Sequence, residues 1–427
     1  MPIRGGRRGR GKKLASAARE GMKIMARTST VLSTIAASLV ALWPMQTLAQ
    51  EGPYDPLGLR FGGFDLHASA NVSVETTDNL YAQNANQTSD TITTAGVGAT
   101  LSSHWSRHSL SANVGATSYT LADHSESNTE ALTAGVRGRL DVYSTTEVGG
   151  GLAWTDSYEP RTNSDSPSSG SDTLDPIEYS VATADIYAQH TFNRVRVSVR
   201  AGQTKYDYDD VHDDMLGTID QDDRDFTEKT YGGRVEYGVS PRIYALVDVS
   251  ANKRDYDTAV GRDSDGETIL GGVRLQFTDL LTGEASIGQT SQDYDSGASI
   301  DGTAYSANLT WYPTPIMNVQ FNASRDVQES GAYQGGYINS TYGVRVNHAP
   351  RRYLNISAGV SAGERDYEGA LDRQDEYLNA DISGVYTVNR RVRLRAGYVF
   401  DRNRSSGSNP GNEFDSNRFF IGVGLQL

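Results

Sequence analysis

One pattern repeats about nine times between Phe64 and Leu427: an alternating apolar and polar run, a tight turn, a second such run, and a longer acidic loop. Between Arg391 and Arg404, one parity carries Val392, Leu394, Ala396, Tyr398 and Phe400, and the other carries Arg393, Arg395, Gly397, Val399 and Asp401. Successive side chains of a β-strand point to opposite faces, so each run has two different surfaces. The repeat predicts an antiparallel β-barrel with a lipid-facing exterior and a water-facing interior.

The spacing of the turns predicts the number of strands. Tight turns are expected near Ser106-Arg107, Ser144-Thr145, Asn193-Arg194, Ser240-Pro241, Thr278-Asp279, Pro313-Thr314, Pro350-Arg351 and Asn389-Arg390. Together with nine longer connections, these eight turns predict an all-β fold, a single up-and-down antiparallel transmembrane barrel of about 18 strands. Both chain ends then lie on the side of the short turns, which in such barrels faces the periplasm.

The composition agrees with a barrel and excludes a bundle of membrane helices. The chain is 37% hydrophobic with a mean hydropathy of −0.51, and after its N-terminal region no stretch is long and apolar enough for a spanning helix. A barrel needs only every second strand residue to be apolar, because closure pairs every backbone group within the membrane. The predicted location is therefore the outer membrane of a Gram-negative bacterium.

Residues 1–49 have the pattern of a signal peptide. A basic segment is followed by an apolar run from Val31 to Leu42, and Thr47-Leu48-Ala49 ends in a small residue suited to cleavage. We expect residues 50–63 to form a periplasmic lead-in and residues 64–427 to form the barrel. Removing residues 1–49 changes the formal charge from −14 to about −22, which disfavours nucleic acid as a partner.

Other partners follow from the predicted location. Gly422, Leu425 and Leu427 fit a final strand that the outer-membrane assembly machinery recognises, with outer-membrane lipid and lipopolysaccharide around the barrel. The absence of cysteine excludes disulfides, c-type haem and thiolate metal sites, and we expect no cofactor. No hydrolase elbow or zinc-protease motif is present, so we expect no enzymatic activity.

Arginines at the polar parity are the candidate pore-lining residues. They are Arg137, Arg139, Arg196, Arg200, Arg234, Arg274, Arg345, Arg393 and Arg395, and the possible partners are Asp141, Asp185, Glu236, Asp248 and Glu284. Guanidinium groups bind carboxylate or phosphate in a fork, so a ladder of them would favour anionic solutes. Alternatively, the arginines pair with neighbouring acids and stiffen the wall.

Two further features allow more than one interpretation. The aspartate-rich loop from Asp207 to Asp225 offers oxygen ligands for Ca²⁺ or Mg²⁺, but its spacing selects no ligand set, which favours a solvated acidic loop and no metal site. Several strands end in an acid-flanked aromatic: Lys205-Tyr206-Asp207-Tyr208, Arg254-Asp255-Tyr256-Asp257, Gln292-Asp293-Tyr294-Asp295 and Arg365-Asp366-Tyr367-Glu368. These rings either stack on sugars or form an interfacial aromatic girdle.

The N-terminal end resembles a known family. Tyr54 to Arg60, Gly62-Gly63-Phe64 and Thr77-Asp78-Asn79-Leu80-Tyr81 are similar to the opening of the bacterial outer-membrane barrels called putative beta-barrel porin 2. The resemblance implies a porin-like channel, and some members occur with exopolysaccharide export machinery. The resemblance thus implies that exopolysaccharide passes through the barrel, and it implies periplasmic polysaccharide export proteins as partners. A general solute porin and a structural or adhesive barrel with a filled lumen remain alternatives.

Overall fold

The structure, a computed structural model, describes residue 54 and residues 56–278, 280–331, 335–367 and 372–427. The expected signal peptide, residues 1–49, lies outside the described residues. Within the expected lead-in, Leu59–Phe61 forms a short strand that pairs with the start of the barrel, where Phe61 is opposite Phe64. The first long strand begins at Phe64.

Eighteen long strands form the barrel. In chain order they are β1 Phe64–Thr77, β2 Asp90–Ser103, β3 Ser109–Leu121, β4 Thr129–Tyr143, β5 Thr146–Tyr158, β6 Glu178–Phe192, β7 Val195–Tyr208, β8 Phe226–Ser240, β9 Ile243–Tyr256, β10 Ser264–Thr278, β11 Leu281–Tyr294, β12 Ser299–Thr314, β13 Met317–Glu329, β14 Gly336–Arg351, β15 Leu354–Tyr367, β16 Arg373–Asn389, β17 Val392–Gly407 and β18 Phe414–Gln426.

Each strand pairs antiparallel with the next, and the last strand closes the ring against the first. Val72 of β1 is opposite Val423 of β18, and the pairing runs from Ser69 with Gln426 to Thr77 with Arg418. The prediction of an all-β, up-and-down barrel of about 18 strands is thus confirmed. No helix within the described ranges has both the length and the apolar character needed to cross a membrane.

The short turns fall at the predicted places or up to two residues later. β8 runs through Ser240 and β12 runs through Thr314, both of which were expected to lie in turns. Register shifts between Gly238 and Ser240 and between Trp311 and Thr314 account for the difference. An extra residue on one strand moves the turn along the chain without breaking the hairpin.

The two faces of each strand differ as the alternation predicts. On β4, Leu132, Val136 and Leu140 are exposed at the even positions, whereas Arg137 and Arg139 occupy the odd positions. A closed barrel has only an outside and an inside, so the exposed apolar parity faces outward and the arginine parity faces the lumen.

Candidate pore wall and outer mouth

Three arginine–aspartate ion pairs with the same bidentate geometry lie on the inner face. Arg137 of β4 donates two hydrogen bonds to Asp185 of β6, with Nη1 3.1 Å from Oδ2. Arg200 of β7 binds Asp248 of β9 in the same way, at 3.0 and 2.7 Å. Arg345 of β14 binds Asp381 of β16 at 2.9 and 2.6 Å. We call these six residues the arginine belt.

Each belt pair passes over a glycine of the strand between its partners: Gly151 of β5, Gly232 of β8 and Gly359 of β15. A Cβ at Gly232 would lie 2.5 Å from Cζ of Arg200, and a Cβ at Gly359 would lie 2.6 Å from Nη2 of Arg345. The guanidinium therefore lies flat against the wall because the intervening strand has no side chain at that point.

The belt lies at one level of the barrel. Arg137 is six residues before the end of β4 and Arg345 is six residues before the end of β14, while Arg200 is five residues after the start of β7. Their side chains are 51%, 43% and 40% exposed, respectively. At this level the inner wall therefore borders solvent-accessible space.

A second group of ion pairs joins strands β7 to β11. Glu236 of β8 accepts hydrogen bonds from Arg196, Arg234 and Arg274, and Arg234 also reaches Glu284 of β11. Three guanidinium groups thus share one carboxylate, and a second carboxylate completes the cluster. Such a network fixes side chains that would otherwise be mobile in the lumen.

The remaining predicted arginines lie on the same face. Arg139 pairs with Asp141 of its own strand at 3.0 Å, and the guanidinium of Arg395 lies over the ring of Phe420 at 4.7 Å. Arg393 lies on β17 opposite Thr387 of β16.

At least seven of the predicted arginines therefore form ion pairs with carboxylates: Arg137, Arg139, Arg196, Arg200, Arg234, Arg274 and Arg345. These seven side chains therefore agree with the alternative interpretation, in which the arginines pair with neighbouring acids and stiffen the barrel wall. Whether the nine residues line a conducting pore stays a prediction.

The connection between β5 and β6, residues 159–177, crosses the long-loop end of the barrel. We call it the inward loop and that end the outer mouth, because long loops of such barrels face outward. Its Asp165 accepts hydrogen bonds from the hydroxyls of Ser330 at 2.8 Å and Tyr367 at 2.9 Å, and from the Gly331 amide at 2.7 Å. Burial raises the pKa of the Asp165 carboxyl above its ordinary value.

A buried polar cluster holds the neighbouring residue. The hydroxyl of Ser164 donates to Asp375 at 2.9 Å, and its carbonyl oxygen accepts from Arg373 at 3.0 Å. Arg365 of β15 also donates to the Ser164 hydroxyl. Asp375 and Arg373 are fully buried at the start of β16, so this anchor is closed to solvent.

These anchors lie on the wall opposite the inward loop. The loop leaves the ring between β5 and β6, whereas Tyr367 lies at the end of β15. Opposite walls of an 18-stranded ring are nine strands apart, and β15 is nine strands from β6. On the near side, Glu159 accepts from Arg224, which precedes β8, at 2.5 Å. The Gly170 amide also donates to the Tyr81 carbonyl oxygen, between β1 and β2, at 2.8 Å. The inward loop therefore spans the diameter of the outer mouth.

The acid-flanked tyrosines support this closure from inside. Tyr206, Tyr208, Tyr294 and Tyr367 are buried and share the parity of the lumen-facing residues, so they do not form an outward girdle. Arginines cover two of these rings, because Arg224 lies 4.0 Å above Tyr208 and Arg373 lies 4.6 Å above Tyr367.

The acidic loop brings three carboxylates together at the surface. Ligand oxygens of Asp210, Asp220 and Asp222 lie within 4.8 Å of one another, and all three residues are exposed. Repulsion from Asp220 raises the pKa of Asp222. The exposure agrees with a solvated acidic loop.

Comparison with known proteins gives one family. Residues 52–427 match the family model described as putative beta-barrel porin 2. No curated protein matches the chain.

Solved barrel structures also resemble the chain. They include OpdL of Pseudomonas aeruginosa, with 13% identity, 86% of this chain and 100% of that chain covered, and a TM-score of 0.44. The copper transporter OprC has 11% identity, 86% and 82% coverage and a TM-score of 0.47. The siderophore receptor PiuA from Acinetobacter baumannii has 10% identity, 87% and 82% coverage and a TM-score of 0.46. With TM-scores below 0.5, no inference about this chain rests on them.

Proposed function

This chain belongs to the putative beta-barrel porin 2 family, and from that premise we propose that it passes exopolysaccharide across the outer membrane through a lumen whose outer mouth the inward loop closes. The coarser statement, an outer-membrane barrel of a porin family, follows from the family match and the closed ring of strands. Polysaccharide as the cargo is supported by the resemblance to family members that occur with export machinery.

The observation that carries the channel is the exposure of the arginine belt. Charged side chains that are half exposed inside a closed ring border water, whereas a lumen filled by protein would bury them. Barrels of 16 to 18 strands leave an aqueous channel unless something plugs it. The inward loop is such a plug, and it lies at the outer mouth only.

Exit of a polymer requires the inward loop to move. Among the described residues, its anchors on the far wall are hydrogen bonds of Ser164 and Asp165, such as Ser164 with Asp375, rather than a packed apolar core. Polar anchors can be exchanged for water when the loop leaves, so displacement exposes little apolar surface. This favours a gate over a permanent seal.

The buried anchors also favour the second candidate, a structural or adhesive barrel with acidic surface loops. Asp165, Arg373 and Asp375 are all buried, as in a fixed plug. In that case the lumen would never conduct and the exposed aspartates of the loop after β7 would do the binding.

Planar-bilayer conductance separates the two candidates. We expect low conductance from the native chain and stable large channels when residues 161–175 are replaced by a short glycine-serine linker. The cargo is tested separately: loss of surface polysaccharide on gene deletion, restored by the intact gene, is expected. No conductance from the loop-replaced barrel, despite normal heat-modifiable migration on gels, would refute the channel and favour the adhesive barrel.

A further inference from the structure

We propose that the arginine belt is a binding track for uncharged polyhydroxyl chains, that is, for a neutral glycan rather than an anionic one. This rests on the proposed function, because it names the class of polysaccharide that the lumen would accept.

Charge balance removes the reason for anion preference. Each belt guanidinium is held by two hydrogen bonds to one aspartate, so every positive charge has a negative charge a few ångströms away. At physiological salt, fields decay over about 8 Å, and a solute in the lumen meets a dipole rather than a net charge. The neighbouring wall also carries both signs, since Arg418 lies 2.7 Å from Asp401 and 3.7 Å from Glu75, and Arg234 lies within 4.0 Å of Glu236, Asp248 and Glu284.

The pairs nevertheless keep free hydrogen-bonding capacity. A guanidinium has five N–H donors and a carboxylate has about four acceptor sites, and a bidentate pair uses two of each. The half-exposed faces of Arg137 and Arg345 therefore offer donors and acceptors side by side to the lumen. Vicinal sugar hydroxyls, which both donate and accept, match such a surface without losing a charged hydration shell.

The glycines make this surface flat and fixed. With no side chain at Gly151, Gly232 or Gly359, each pair lies along the wall and leaves the lumen above it clear. The pairs cover β4 to β6, β7 to β9 and β14 to β16, so a chain at belt level meets them on two sides.

Direct binding to the purified, detergent-solubilised protein tests the proposal. The probes are fluorescently labelled maltoheptaose, which is neutral, and a labelled galacturonate heptamer, which is anionic, measured by fluorescence anisotropy. Entry from the short-turn end, opposite the inward loop, would not require that loop to open. We expect maltoheptaose to bind and the anionic heptamer to bind no more tightly.

Variants connect the binding to the belt. We expect R345Q/D381N to weaken maltoheptaose binding several-fold, and neutralisation of all three pairs to weaken it at least tenfold. The control is R402Q/D415N, which removes an outward ion pair of 2.7 Å together with the contact of Asp415 with Arg404 at 2.8 Å, and should leave binding unchanged. Heat-modifiable migration verifies folding, and the single-pair variant keeps the test valid if the sixfold variant does not fold.

Three results would overturn the proposal: no maltoheptaose binding, unchanged binding in the single-pair and triple-pair variants, or an anionic heptamer that binds tenfold more tightly than the neutral one. The test is independent of conduction. If the barrel binds neutral sugar but never conducts, the channel function is rejected and the binding track is retained. If it conducts but does not bind neutral sugar, only the binding track is rejected.

Discussion

The inward loop should be released by removing one carboxyl group, that of Asp165. The carboxylate accepts three hydrogen bonds from the opposite wall: the Ser330 hydroxyl at 2.8 Å, the Gly331 amide at 2.7 Å and the Tyr367 hydroxyl at 2.9 Å. The D165A variant deletes all three acceptor contacts at once. It leaves the barrel strands and their register unchanged, because Asp165 belongs to no strand.

The size of the effect follows from these contacts. A hydrogen bond to a charged group contributes about 1.5–3 kcal/mol, and burying the carboxylate offsets part of the sum. We therefore expect D165A to weaken closure by about 3 kcal/mol in total. At about 1.4 kcal/mol per factor of ten, the ratio of closed to open channels falls roughly 100-fold.

Single-channel recording in planar bilayers measures this ratio as open probability. D165N is the matched control, because its Oδ1 can still accept from Ser330 and Tyr367, only the contact with the Gly331 amide is lost, and no charge is buried. It should therefore stay far more closed than D165A. A D165A channel with the open probability of the native chain would refute the anchor, and so would D165N opening as far as D165A. Unchanged heat-modifiable migration of both variants excludes misfolding as the cause.

Three further predictions concern the inward loop and the arginine belt. The closed state raises the pKa of the Asp165 carboxyl, so closure is favoured below the ordinary carboxyl pKa of 3.8 and weakens as pH rises through the raised pKa. The open probability of the channel should therefore fall on acidification. The D165N variant should lack this pH dependence. The E159Q variant breaks a buried ion pair with Arg224, which costs about 3–5 kcal/mol in such sites, and should raise open probability at all pH values. The G359V variant places a side chain against Arg345 and Asp381 and should lower the free energy of unfolding by about 1–3 kcal/mol in urea titrations. At Gly384 an added Cβ meets no atom within 4 Å, so the control G384V should change the free energy of unfolding much less.

The strands and their faces could be predicted from the sequence because they depend on local order. Alternation assigns each residue to a face without knowledge of its neighbours in space. Arg137, Arg200 and Arg345 therefore fall on the inner parity from the sequence alone, and the structure places them there. The tight turns then give the number of strands.

The inward loop could not be predicted, because its contacts join residues far apart in the chain. Asp165 and Tyr367 are separated by 202 residues, and only closure of the ring brings them together. In composition, residues 159–177 resemble a solvated loop rich in serine, aspartate and proline. The acid-flanked tyrosines offered a partial signal, since Tyr206 and Tyr208 share the parity of Arg200 and could have been assigned to the lumen.

The partners of the belt arginines depend on single-residue bulges, and parity itself can reveal these. Tyr143 pairs with Thr146 across the turn between β4 and β5, and an unbroken register from that pair would place Arg137 opposite Leu152. Residues directly opposite each other share a face, yet Leu152 is an exposed outward residue and Arg137 has the inner parity. The contradiction requires one extra residue in β4, and the register indeed shifts between Asp141 and Tyr143, which brings Arg137 opposite Gly151. The bulge near the turn is therefore what places a glycine under the guanidinium, and the belt pair with Asp185 depends on it.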